Sequence, residues 1–411
     1  MTPDSSAAAR GRTAAIALGV TLSIQVFVAL AATATAVLAP EIARDLGVPA
    51  KLVGVFVGLV YVGSMTASLA SGHFIERYGA IRVSQVCVLI CAAGSCMIAF
   101  SQASWLPLVA LAPLVIGIGY GPITPASSEV LARTAPPSRM ALTFSIKQTG
   151  VPGGAALAGA LLPVLAVGLG WRTTLLAVAA AGIAVAALGE TMRRKLDATP
   201  TRRSPPFSLA GMIAPLRTVF RHPVLLELSI TGFVYAAMQV CLTSFLVVYF
   251  TEALGFALVA AGLALTAANL GGIIGRVGWG AIADQWIAPR RMLGLLGLAA
   301  AACAYAVASF EGDWPRGLLL AICALFGATA IGWNGVQLAE VARHAPAGQA
   351  GAITGASGFV TFAGVVFGPP AFALLATLTG SYRIGFAVFG TLSLACGAAL
   401  LMRSPGARTL G

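Results

Sequence analysis

The residues best placed to do chemistry in this 411-residue chain are few, and Lys147 comes first. It lies in the run Thr143-Phe-Ser-Ile-Lys147-Gln148-Thr-Gly150-Val-Pro152-Gly153-Gly154, inside a long apolar stretch. An ammonium in hydrocarbon is costly, by several kcal/mol on most scales, so such a residue is kept for a use. Its chemistry is electrostatic: a fixed positive charge asks for an anionic partner. The middle of the apolar segments offers no acid. Lys147 therefore either binds an anion or joins a gate, or else it snorkels along its long stem towards water.

Milder polar groups recur in other apolar segments. Gln25, Tyr61, Ser64, Tyr120 and Thr124 fall in the first half, and Tyr235, Gln239, Asn269, Trp333, Asn334 and Gln337 in the second. Tyr235 and Gln239 are one helical turn apart, as are Asn334 and Gln337, so each pair shares a face. A buried amide needs partners. Each of these groups either lines a polar cavity or bonds to a neighbouring helix. Gly332-Trp333-Asn334-Gly335-Val-Gln337 combines glycines with amides and suits a bending, cavity-lining helix.

Catalytic signatures are missing from the sequence. The three histidines, His73, His222 and His344, fall between apolar segments, and the seven cysteines fall inside them without metal-ligand spacing. No phosphate loop, metal constellation or nucleophile elbow is present. The chain is expected to be no enzyme, to use no cofactor or metal and to hydrolyse no ATP. A channel is disfavoured because no ring of like charge or filter repeat is visible.

The elements that must position these residues are membrane helices. Hydrophobic residues make up 58% of the chain and charged residues only 9%, against roughly 25% charged in soluble proteins. The formal charge of +12 comes from basic residues that punctuate the apolar runs and do not form a nucleic-acid footprint. At about 20 residues per span, spans are expected at 13–38, 52–72, 83–101, 105–128, 141–166, 171–190, 224–250, 257–281, 292–310, 317–339, 351–378 and 382–402. The first run reads as a span and not as a cleaved leader. The expected fold is an all-α membrane protein of twelve transmembrane helices in two six-helix halves. The halves are residues 1–190 and 223–411, joined by a basic linker at 191–222 that holds Arg202, Arg203, Pro205 and Pro206. Nineteen of the 25 basic residues fall on the side of both termini and the linker. Arg44, Lys51, Arg172, Arg316 and Arg383 fall on the other, and Lys147 is left over. The positive-inside rule then places both termini in the cytoplasm of a cell with this inner-membrane protein.

The halves resemble each other. Gly72-His-Phe-Ile-Glu76-Arg77 matches Gly280-Ala-Ile-Ala-Asp284-Gln285; Glu129 to Pro136 matches Glu340 to Pro346; and Gly170-Trp171-Arg172 matches Ser381-Tyr382-Arg383, each pair about 210 residues apart. A parallel repeat of six spans is the build of a transporter that binds substrate near midplane between its halves. Over nearly its whole length the chain resembles the major facilitator superfamily. That family carries a Gly-x-x-x-Asp-Arg-x-Gly-Arg-type motif after span two and a degenerate copy after span eight. Here Gly72, Glu76, Arg77, Gly79 and Arg82 stand in the first copy, with Glu in place of Asp, and Gly280, Asp284, Arg290 and Arg291 in the second. The resemblance implies a cytoplasmic gate, in which a carboxylate pairs with an arginine or a helix N-terminus in one conformational state only. Glu129 with Arg133, and Glu340 with Arg343 or His344, have helical pair spacing and are expected in the same gate, as is Arg276. Gly150 to Gly154 loosely resembles a glycine-proline motif of drug–proton antiporters with different spacing. Trp333 to Glu340 resembles the cyanate-permease and nitroimidazole-transporter branch.

One positive charge among neutral amides favours an anion. The expected function is secondary active transport of a small organic anion, most simply a carboxylate, by alternating access. The expected substrate-binding set is Lys147, Gln25, Tyr61, Tyr120, Tyr235, Gln239, Asn269, Trp333, Asn334 and Gln337. Proton-coupled uptake would use the anion itself or a peripheral carboxylate such as Glu41 or Glu227. Anion exchange and export of drugs or metabolites by proton antiport remain open. The expected partners are the substrate, protons and the lipid bilayer, with the protein monomeric and binding no nucleic acid.

Overall fold

The computed structural model describes residues 3–47, 53–102, 106–197, 208–256 and 258–402, and no strand occurs among them. Lys51, Arg202, Arg203, Pro205, Pro206, Arg403 and Arg408 lie outside the described residues, as does the middle of the expected linker. A chain this apolar must bond its own backbone groups, which helices do within one segment. The helices of the first half are α1 (Pro3–Val37), α2 (Ala39–Leu46), α3 (Val53–Tyr78), α4 (Ala80–Ala99), α5 (Leu106–Tyr120), α6 (Ile123–Thr134), α7 (Met140–Gln148), α8 (Gly150–Leu169) and α9 (Trp171–Leu196). Then come α10 (Leu209–Arg221), α11 (Pro223–Val248), α12 (Leu258–Gln285), α13 (Pro289–Ala308), α14 (Arg316–Ala330), α15 (Asn334–Arg343), α16 (Ala350–Thr379) and α17 (Tyr382–Met402). Among the described residues, 11 stretches are long and apolar enough to cross a membrane. The remaining expected span is the pair α5 and α6. The twelve-span, all-α architecture stands.

Three expected spans are not continuous helices. The fourth is interrupted at Gly121-Pro122, the fifth at Thr149 and the tenth over residues 331–333. In the fourth and fifth a proline removes an N–H that the helix ladder needs: Pro122 leaves the carbonyl of Ile118 without its usual donor, and Pro152 that of Gln148. The tenth contains no proline there, and side chains supply the missing bonds. Trp279 Nε1 donates to the Ala328 carbonyl at 2.7 Å, Trp333 Nε1 to Ala330 at 3.1 Å, and Arg276 Nε to Ile331 at 3.1 Å. Asn334 Nδ2 also reaches the Ile331 carbonyl at 3.2 Å.

Contacts group the chain into two compact units. One comprises Met1–Pro137, Ile146–Val219 and Ala345–Phe359; the other comprises Ser138–Ser145, Phe220–His344 and Val360–Gly411. In the first, α4 packs on α9, α3 on α5 and α1 on α8; in the second, α13 packs on α17 and α12 on α14. Glycine allows the closest of these approaches. A Cβ at Gly63 would lie 2.7 Å from the Leu114 carbonyl oxygen, and one at Gly117 3.0 Å from Gly63 Cα. In the second unit a Cβ at Gly271 would lie 2.8 Å from the Ala324 carbonyl carbon, and one at Gly327 2.7 Å from Ala268 Cα. Gly63 and Gly271, like Gly117 and Gly327, are separated by the same distance along the chain as the sequence repeat. Without a hydrophobic drive between helices in lipid, such small-residue contacts carry the packing.

Gly117→Ala and Gly327→Ala are each expected to destabilise the protein by roughly 1–3 kcal/mol through overpacking. Gly159→Ala and Gly262→Ala, where nothing stands within 4 Å, serve as tolerated controls. Apparent unfolding temperatures of the four purified variants in detergent check this; equal values would remove the glycine contacts as a determinant of packing.

Candidate functional site

Lys147 stands in the last turn of α7, beside the interruption at Thr149. It is fully buried, with 1% exposure, so the snorkelling alternative is not what the structure shows. Its ammonium donates to Gln25 Oε1 at 2.6 Å and to Gln148 Oε1 at 3.1 Å, with Thr124 Oγ1 at 3.4 Å. All three acceptors are neutral. The site is therefore a desolvated cation solvated by dipoles, with the nearest groups coming from α1, α6 and α7. The short contact to Lys147 fixes the orientation of the Gln25 amide, because the flipped form would aim N–H groups at the ammonium. Gln25 Nε2 is then turned away, buried, and without an acceptor from the protein.

Local packing explains how α1 comes to carry Gln25 here. A Cβ at Gly150 would lie 3.0 Å from the Gln25 Cβ, and one at Gly154 2.7 Å from Ala29 Cβ. The glycines that follow Lys147 thus form the seat for α1. One turn beyond Gln25 and Lys147, a cavity of ≈ 230 Å³ is lined by Ala29, Thr33, Tyr61, Tyr120 and Val151, among others. Tyr61 and Tyr120 line that cavity together, while Lys147 and Gln25 lie outside its lining.

The second-half residues are brought together only in part. Gln239 Oε1 accepts from Asn334 Nδ2 at 3.0 Å, and both side chains are half-buried. Tyr235, Trp333 and Gln337 are buried, and their polar atoms tie helices together. Tyr235 Oη donates to the Leu293 carbonyl at 2.9 Å, Gln337 Nε2 to Leu228 at 3.1 Å, and Trp333 serves the interruption while meeting the Tyr235 ring edge-on at 5.7 Å. Asn269 is exposed and bonds back to the Leu265 carbonyl of its own helix. Arg276, expected at the gate, is buried at 2% exposure and holds the Ile331 carbonyl. It is a second buried cation, so Lys147 is not the only one within a span.

The carboxylates singled out by their loop positions sit on helix N-termini, where unpaired N–H groups and the helix dipole favour negative charge. Asp284 accepts from Ala141 N at 3.0 Å and Leu142 N at 2.7 Å, in the first turn of α7, and pairs with Arg343 at 3.2 Å. Arg343 also approaches Glu340 at 3.5 Å, and His344 Nδ1 lies 3.8 Å from the same carboxylate. Glu129 accepts from Gly351 N at 2.8 Å, in the first turn of α16, with Arg133 at 3.6 Å. The first motif copy behaves differently. Gly72 is buried against Ala352, to which a Cβ would approach within 2.5 Å, but Glu76 and Arg77 are exposed and Arg77 lies over the Tyr78 ring.

Sequence reasoning missed Asp197 altogether, and it missed the partners of His222 and Glu227. Asp197 accepts from Ile81 N at 2.6 Å and Arg82 N at 3.3 Å, capping α4 from a distance of 116 residues in the chain. Burial raises its carboxyl pKa above the ordinary value although both N–H groups pull the other way. His222 caps α11 by accepting from Leu225 N at 3.4 Å; burial and the neighbouring His344 lower its pKa, in keeping with an acceptor role. Glu227 forms an ion pair with Arg290 at 2.6 Å. Gln148 was legible only as the neighbour of Lys147, because successive helical residues point in different directions.

Twelve spans with polar groups held inside helical bundles are the construction of a multi-pass membrane carrier. The model of the Major Facilitator Superfamily matches residues 21–364, and the chain belongs to that superfamily. It is a transporter and not an enzyme. It is 23% identical over 387 residues to an uncharacterized MFS-type transporter of Mycobacterium tuberculosis, covering 92% of this chain and 82% of that protein. A shorter match, 24% over 158 residues, is to the hexuronate transporter of Bacillus subtilis, covering 38% of this chain and 36% of the relative. Among solved structures, the E. coli fucose:proton symporter aligns with a TM-score of 0.75 at 15% identity, over 95% of this chain and 99% of that one. A human organic anion transporter aligns with a TM-score of 0.73 at 16% identity, over 97% and 100%.

A buried ammonium without a counter-ion is expected to cost stability rather than supply it. Lys147→Met should leave the apparent unfolding temperature of the purified protein equal or higher. A clear fall would make Lys147 a structural residue.

Proposed function

We propose that this transporter carries a small organic anion, most simply a carboxylate, and that Lys147 is its charge anchor. One observation carries the reading: a fully buried ammonium faces only neutral acceptors while the adjacent Gln25 Nε2 has no acceptor at all. A carboxylate brings what both lack, a negative charge and free lone pairs, and charge-assisted hydrogen bonds are roughly twice as strong as neutral ones. The cavity beside Tyr61 and Tyr120 would hold the rest of the molecule. The local match to a hexuronate transporter agrees in the sign of the substrate's charge. Coupling fits either a proton that travels with the anion or exchange of one anion for another.

Thermal-shift measurements across small carboxylic acids test this reading. Ligand at 100 times its Kd stabilises by about 2.7 kcal/mol. The shift should vanish in Lys147→Ala, and Gln25→Leu should weaken binding roughly fivefold, the value of one ordinary hydrogen bond. Binding of a carboxylate unchanged in Lys147→Ala would exclude the anchor role. Lys147→Arg is a variant in its own right, because guanidinium and ammonium differ in shape and hydration.

The same reading makes the carboxylate-capped helix ends a cytoplasmic gate, with both termini in the cytoplasm and the halves 1–190 and 223–411 moving in alternating access. Asp284 holds the start of α7 and Lys147 stands in its last turn, so one nine-residue helix joins gate and anchor. Glu129→Gln weakens the charge on α16, worth about 0.3–1 kcal/mol or more when partly buried. In a background without native cysteines, Ser68→Cys tests the gate, because Ser68 is buried against the Gly355 carbonyl at 3.1 Å. Maleimide labelling there should rise severalfold on adding Glu129→Gln or Asp284→Asn. Equal labelling would show that these contacts do not control a conformational equilibrium.

A further inference from the structure

Gln25, Thr124 and Lys147 each stand four residues from a side chain that lines the ≈ 230 Å³ cavity: Ala29, Tyr120 and Val151 respectively. Four residues are about one helical turn, roughly 6 Å along the axis, and return a side chain to the same face. Pro122 and Thr149, at the interruptions, keep right-handed helical dihedrals (φ −72°, ψ −11° and φ −63°, ψ −17°), so the chain continues its turn past both. The first and fifth spans run one way and the fourth the other, so the three steps point in one direction along the bundle. The polar cluster and the cavity are therefore consecutive layers, and the whole lining belongs to the first compact unit.

The second layer differs sharply from the first in chemistry. Ala32, Ala36, Val57, Val60, Val151 and Ala155 bring hydrocarbon to the lining. Its side-chain polar atoms are the hydroxyls of Thr33, Tyr61 and Tyr120, and Thr33 Oγ1 already donates to the Ala29 carbonyl at 2.8 Å. Among the described residues, no charged side chain stands in the lining. An apolar cavity of about 150 Å³ is enough for benzene, so this one takes a ring and a few further carbons. A hydroxyl or a charge buried without a partner is costly. A polyhydroxylated body brings more hydroxyls than three side chains can serve, and a second carboxylate would find no cation.

We propose that the carried anion is a monocarboxylate with an apolar, ring-sized body set back from the carboxylate by a short alkyl linker, as in a cycloalkyl- or arylalkanoic acid. The inference rests on Lys147 as the charge anchor and defines the class of molecule that the anchor takes. The carboxylate lies against the Lys147 ammonium and Gln25 Nε2. The linker spans the step of roughly 6 Å, and the body fills the cavity between α1, α3 and α8. Charge selects one end of the substrate and the absence of polar partners selects the other, so sugar acids and dicarboxylates are rejected although they carry the right sign.

Isothermal titration calorimetry on the full-length protein in detergent, with a micelle blank, tests this. From propanoate to hexanoate each added methylene should tighten binding about fourfold. 3-Cyclohexylpropanoate should bind at least about tenfold tighter than a hexuronate, and hexanoate at least about tenfold tighter than hexanedioate. Ala155→Leu, which fills the cavity from α8, should weaken 3-cyclohexylpropanoate at least about tenfold more than it weakens propanoate. Ala36→Leu should do the same from α1, so a folding defect in one variant leaves the other, and the ligand series on the unmodified protein needs neither. Equal affinities along the alkanoates, a hexuronate bound as tightly as 3-cyclohexylpropanoate, hexanedioate bound as tightly as hexanoate, or methylene increments kept in both cavity variants would each overturn the proposal. If the acids that do bind then lose affinity in Lys147→Ala, the anchor stands and only the apolar body falls. 3-Cyclohexylpropanoate bound equally well by Lys147→Ala would overturn the anchor, and this inference with it.

Discussion

Inside hydrocarbon a backbone N–H or C=O has no water to turn to, so every interruption of a membrane helix must be bonded by the protein itself. Much of this structure follows from that requirement. The tenth span breaks at residues 331–333, and the carbonyls freed there are taken by Trp279, Arg276, Trp333 and Asn334. The fourth and fifth spans break at prolines, beside the residues that surround Lys147. Polar side chains buried in the spans thus have two employments, serving the backbone or facing a cavity. Only the bonding pattern tells them apart.

Lys147 is held by other side chains instead. Three neutral oxygens surround its ammonium, and none offsets its charge. The amide that faces it most closely is held in one orientation and turns its own donors towards space that no protein acceptor fills. The ammonium and that amide are the two donors on which the proposed anion site rests. The glycines after Lys147 let α1 come close enough to build the pair, which ties the packing of small residues directly to the chemistry.

Negative charge follows a second rule, that of the helix N-terminus. Asp284, Glu129 and Asp197 each accept from first-turn N–H groups of a helix distant in sequence. The repeat is therefore not symmetrical in its use of motifs. In the second copy the motif carboxylate takes the helix end. In the first copy Glu76 is exposed, and Glu129 on another helix does so.

The sequence alone determined the twelve spans, the two-fold repeat and the superfamily, because hydropathy, small residues and repeated loop motifs are local properties that survive without knowledge of contacts. It also determined that Lys147 carries a charge with no acid nearby along the chain. Only the tertiary structure decided which polar residues are spent. Tyr235, Trp333, Gln337 and Arg276 looked like site residues by position, yet each gives its hydrogen to a carbonyl on its own or a neighbouring helix. Conversely Gln25 and Thr124, mild in sequence, converge on Lys147 from helices 122 and 23 residues away. A side chain's direction around a helix and the break points of that helix set its partners. Both depend on packing between segments far apart in the chain.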